Sequence, residues 1–65
     1  MKIRFKKFVL VEIEDRRWLD IQDKAFYKWD ELDDVESIEE FATTAHIYRK
    51  DDTIGNVPLD AFERI

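Results

Sequence analysis

Residues 33–42 read Asp33-Asp34-Val35-Glu36-Ser37-Ile38-Glu39-Glu40-Phe41-Ala42, and the period of their apolar positions decides the fold class. Val35, Ile38, Phe41 and Ala42 share one face at helical spacing. Ser37 and Glu40 stand at the separation of a capping box, and Asp33, Asp34 and Glu36 supply the negative charge that a helix N-terminus favours. The stretch is therefore expected to form one short helix around residues 34–42.

Toward the N-terminus the period changes. Ile3, Phe5, Val9, Val11 and Ile13 fall on alternate positions, interrupted by Lys7, which predicts one long strand. Phe8 and Leu10, in the opposite phase, make its middle apolar on both faces. Glu14-Asp15-Arg16-Arg17 is a polar break. Residues 18–32 support two readings. Trp18, Ile21, Ala25, Trp29 and Leu32 form a helical stripe, whereas Trp18–Ile21 and Ala25–Trp29 read as two short aromatic strands. The first strand needs neighbours, which favours the strands.

Toward the C-terminus, Thr43–Arg49 is β-type and Lys50-Asp51-Asp52-Thr53 reads as a tight turn. With Asp51 and Asp52 as the loop, Tyr48 would face Gly55 and His46 would face Val57. Pro58 is expected to end the pairing, and Leu59–Arg64 to make one helical turn that returns Phe62 and Ile65 to the core. The expected class is α+β: a small antiparallel sheet, with a long N-terminal strand and a C-terminal hairpin, carrying one short helix. Gly55, Val57, Pro58, Phe62 and Ile65 also resemble, in spacing, the closing segment of SH3-type barrels, a strand followed by one turn of 3₁₀ helix. That resemblance covers residues 55–65 and implies an SH3-like barrel as the alternative fold. The early aromatic motif by which those domains hold proline-rich peptides has no counterpart here, so no binding residue carries over.

Sixty-five residues make one domain. A chain of this size buries only about 60% of its unfolded surface and needs reinforcement. It has no Cys and one His, so disulfides, thiolate zinc sites and His-rich metal sites are excluded. Two Trp, two Tyr and five Phe supply core material instead. No apolar run approaches the roughly 18–20 residues that span a bilayer. Phe8–Val11 is too short for a signal-peptide core, so the cytoplasm is the expected compartment.

The functional reading rests on charge. Residues 20–40 carry nine acids against Lys24 and Lys28, a balance of −7 within a whole-chain −5. The net negative charge disfavours direct nucleic-acid binding and attracts basic surfaces. No catalytic set emerges. His46 lies between Ala45 and Ile47 as a sheet histidine, Ser37 serves as a helix cap, and a single Gly rules out a phosphate loop. The calcium-loop spacing fails at Leu32. No enzyme, cofactor or metal is expected.

Asp30, Glu31, Asp33, Asp34, Glu36, Glu39 and Glu40, with Trp29 as an aromatic anchor, are the candidate partner-binding residues. Such a run is usually a solvated face. Held on a helix, it could imitate a row of phosphates and occupy a basic, DNA-binding site on a host or cellular protein. Small acidic Cys-free chains of this type look like the inhibitors carried by bacteriophages and mobile elements, DNA mimics among them. The alternative is a small nucleic-acid-binding or regulatory domain that uses Lys2, Arg4, Lys6 and Lys7, basic residues interleaved with Phe5 and Phe8. A third reading is an assembly subunit whose open sheet edge pairs with another copy.

Overall fold

A computed structural model describes all residues, Met1–Ile65. The chain is almost entirely β-sheet. Eight strands follow in order: β1 (Ile3–Phe5), β2 (Val9–Asp15), β3 (Asp20–Phe26), β4 (Glu31–Leu32), β5 (Val35–Glu40), β6 (Thr44–Arg49), β7 (Thr53–Pro58) and β8 (Phe62–Arg64). A single 3₁₀ turn, Leu59–Ala61, separates β7 from β8. All pairings are antiparallel, in a three-stranded sheet ordered β4-β1-β8 and a five-stranded sheet ordered β3-β2-β7-β6-β5.

The expected helix around 34–42 does not exist, and the α+β class is corrected to all-β. The same residues form β5, and a bulge explains the misleading spacing. Val35 pairs with Arg49 and Ser37 with Tyr48, so Glu36 is an extra residue opposite no partner. A bulge restores two residues three apart to the same side of a strand. Val35 is consequently buried and Ile38 half-buried on the inner face, although alternation would have separated them. Ser37 caps nothing and lies opposite Tyr48.

The long N-terminal strand is two strands. Lys7 falls on the inward phase, where an ammonium cannot be buried unpaired. The chain bends at Lys6-Lys7, sending Ile3 and Phe5 into the smaller sheet and Val9, Val11 and Ile13 into the larger. Residues 20–26 form one strand in place of the two expected between 18 and 29, paired from Asp15↔Asp20 to Val9↔Phe26. The C-terminal hairpin has a three-residue loop, Lys50–Asp52. Asp52 N–H donates to the Arg49 carbonyl at 3.1 Å, with Asp52 in the left-handed region at φ 68°. The extra loop residue shifts the register by one from that expected. Tyr48 faces Ile54, His46 faces Asn56, and Gly55 faces Ile47.

The core fills the space between the sheets. Ile3, Phe5 and Phe62 come from the smaller sheet, Ala61 from the 3₁₀ turn, and Val11, Phe26, Val35, Ala45, Ile47 and Val57 from the larger. Phe5 stacks on Phe26 with ring centroids 4.5 Å apart. Burying each such side chain contributes about 1.5–3 kcal/mol. Ile65, expected in the core, is half-exposed. β7 followed by a 3₁₀ turn has the form expected from the SH3-type resemblance, and the architecture is compatible with that alternative. The helical turn expected over Leu59–Arg64, however, stops at Ala61, and Phe62–Arg64 is strand β8, paired with β1. No helix is long and apolar enough to cross a membrane.

Candidate functional site: the outer face of the five-stranded sheet

The acidic run is not a single row. Asp30 lies in the turn before β4, Glu31 in β4, Asp33 and Asp34 in the link to β5, and Glu36, Glu39 and Glu40 on β5, so the run crosses from one sheet to the other. Much of it is answered within the chain. Glu31 pairs with Lys2 at 3.0 Å and Glu40 with Arg64 at 2.7 Å. Asp34 takes a forked contact from Arg49, with N–H donors at 2.9–3.1 Å. Asp30 accepts the Tyr27 N–H at 2.8 Å and so stabilises its own turn. Asp33, Glu36 and Glu39 have no cation partner within salt-bridge distance.

Trp29 is also engaged. Its backbone is left-handed at φ 76°, a cost borne by the bond from its N–H to the Phe5 carbonyl at 2.8 Å. Its ring is half-exposed, with the Arg4 guanidinium 5.6 Å and the Lys28 ammonium 5.0 Å from the centroid. The basic strand is likewise occupied: Lys2 meets Glu31, Arg4 meets Glu63 and Lys7 meets Asp60, each at 3.0 Å. Of its four cations only Lys6 lacks such a partner.

The larger sheet presents a different acidic surface. Its outward positions align in two rows across all five strands. One runs Glu39-His46-Asn56-Glu12-Asp23 and the other Ser37-Tyr48-Ile54-Glu14-Ile21. At about 4.8 Å between strands, each row spans roughly 19 Å. The rows hold four carboxylates and no Lys or Arg, and none of the four forms a salt bridge within the chain. Glu12 and Asp23 stand directly opposite one another, a like-charge pair that weakens a sheet.

Aromatic groups accompany the acids. The Phe41 and His46 rings meet edge-on with centroids 4.8 Å apart, and Tyr48 lies 6.4 Å beyond His46. The Tyr48 hydroxyl donates to Glu39 Oε1 at 3.2 Å. Withdrawal from water, and then that bond to a carboxylate, raise its pKa above the usual phenol value. Glu12, Glu14, His46, Tyr48, Ile54 and Asn56 line a shallow hollow of about 300 Å³. A second hollow, of about 240 Å³ at the polar end of the inner face, contains Arg17, Lys24 and Arg49. Asp15 and Asp34 already hold its two guanidinium groups. Its remaining cation, Lys24, lies over the Phe26 ring at 5.4 Å.

The acids at 30–40 are contiguous along the chain, yet only Glu39 of that run belongs to the two rows. Glu12 and Glu14 were visible in the outward phase of the first strand. Their neighbours could be named only with the register known. No group of three or more acid or histidine side chains is placed to hold a metal ion. Comparison with protein-family models, curated proteins and solved structures gave no significant match.

Proposed function

We propose that the chain is a non-enzymatic protein-binding module that docks the outer face of its five-stranded sheet on a basic site of another protein. The observation that carries this reading is the absence of any Lys or Arg from the two outward rows, although the chain holds eleven such residues. Alternation alone would scatter cations among both phases. Here one face keeps four uncompensated carboxylates beside His46, Tyr48 and Ile54, including the mutually repelling pair Glu12 and Asp23. Such a surface steers a basic partner toward itself and offers rings to bury on contact. Where the partner's site ordinarily holds nucleic acid, the carboxylates take the place of phosphates and the chain acts as an inhibitor.

The test compares two charge-matched variants in affinity capture of basic proteins from a cell lysate. Glu12→Gln/Glu14→Gln/Glu39→Gln removes three charges from the sheet face. Glu31→Gln/Asp33→Asn/Glu40→Gln removes three from the 30–40 run and leaves both rows, Glu39 included, intact. The first variant should lose affinity about tenfold or more in ~50 mM salt, the second far less, and wild-type binding should weaken in ~500 mM salt. Equal losses in the two variants, or binding indifferent to salt, would overturn the reading.

A further inference from the structure

β3 is an open edge of the five-stranded sheet, hydrogen-bonded to β2 alone. It runs seven residues without the bulge that disrupts β5 at the opposite edge. Two apolar clusters lie at its ends. At the hairpin tip Trp18 and Leu19 are 76% and 87% exposed, and Leu19 is left-handed at φ 52°. At the other end half-exposed Tyr27 packs on Phe8 with centroids 5.2 Å apart. About 20 Å of strand separates the two clusters, so neither covers the other within one molecule.

We propose that β3 pairs antiparallel with β3 of a second copy of this chain, about a two-fold axis at Gln22. A symmetric antiparallel pair is defined by the residue that meets itself. Centred on Asp20 or Asp23 it opposes two carboxylates, and centred on Lys24 two ammonium groups. Centred on Ile21 it brings no opposite charges together. Centred on Gln22, Asp20 of each copy faces Lys24 of the other, and the two Gln22 amides meet. Charges on an edge strand ordinarily block pairing. On β3 their order admits one attractive symmetric register.

That register also resolves the apolar clusters. Position 19 of one copy lies opposite position 25 of the other, so each hairpin tip reaches the Phe8–Tyr27 end of its mate. Two patches that are distant within a molecule become neighbours between molecules, twice over. The axis stands perpendicular to the sheet, so both acidic faces look the same way. The interface uses the edge, and its test is independent of the binding proposed for the face.

Sedimentation equilibrium with charge-swapped edges tests the pairing, with circular dichroism confirming that each variant is folded. Wild type should dimerise with concentration. Asp20→Lys places Lys at 20 and 24, Lys24→Asp places Asp at both, and each alone should associate about tenfold more weakly or worse. Mixed in equal amounts, the two should form a heterodimer, since every facing pair is then opposite in charge. A wild type that stays monomeric to about 1 mM, a mixture that stays monomeric, or single variants that dimerise as wild type does would each overturn the proposal.

Discussion

Gly55 shows how a single position sets the closeness of the sheet to its core. A Cβ there would stand 3.2 Å from Val11 Cγ1 and 3.5 Å from Ile13 Cδ1, both on the neighbouring strand. Its backbone is ordinary, so a side chain there is limited by space and not by conformation, and the Val11 side chain must give by a few tenths of an ångström to admit one. Gly55→Ala should cost about 1 kcal/mol through overpacking, read as a lower urea midpoint with an unchanged slope. An alanine variant as stable as wild type would show that Val11 moves aside freely. The identity of Gly55 as a strand residue was legible from its surroundings. The side chains it leaves room for were not, because they belong to β2, whose pairing with β7 no local signal reveals. On the β6 side the expected loop of two residues placed Tyr48 opposite it in place of Ile47. One loop residue moved every cross-strand neighbour by a position, as the pleat of a strand demands.

At the scale of the element, β5 and the β2–β3 hairpin carry the argument. The 33–42 segment has helical spacing because Glu36 bulges out of a strand, and a bulge imitates the period of a helix over a few residues. Single-sequence periodicity has no means of separating the two. The alternation of Val9, Val11 and Ile13 in β2 and the β-type residues of β6 were plain, and a turn was expected at Lys50–Thr53, although the loop is one residue longer than the Asp51-Asp52 pair expected. The candidate site suffered from the same limit. Contiguous acids at 30–40 are conspicuous along the chain, while Glu12, Asp23 and Glu39 become neighbours only through pairing across strands. The Glu12–Asp23 opposition has a measurable cost. Asp23→Lys should raise the thermal midpoint by about 1–3 °C at low ionic strength, and by less in ~500 mM salt. No rise at low salt would mean that the two carboxylates do not repel across the hairpin.

At the scale of the whole molecule, the chain sorts its charges by surface. Cations and acids neutralise one another around the smaller sheet and the inner polar end, through Lys2–Glu31, Arg4–Glu63, Lys7–Asp60, Arg17–Asp15, Arg49–Asp34 and Arg64–Glu40. The two outward rows of the larger sheet keep four unpaired carboxylates, with Arg16 at their hairpin end beside Tyr48 and Ile54. This sorting follows from two sheets that share one core: alternate residues turn inward, and the outward set of β2, β3, β5, β6 and β7 happens to be free of Lys and Arg. The most direct measurement is a backbone amide NMR titration of the isotopically labelled chain with an arginine-rich peptide. Shift changes should concentrate at Glu12, Glu14, Asn56, His46 and Glu39 and fade as salt is added. Changes centred instead on Asp30–Asp34, or spread evenly over the surface, would contradict the account.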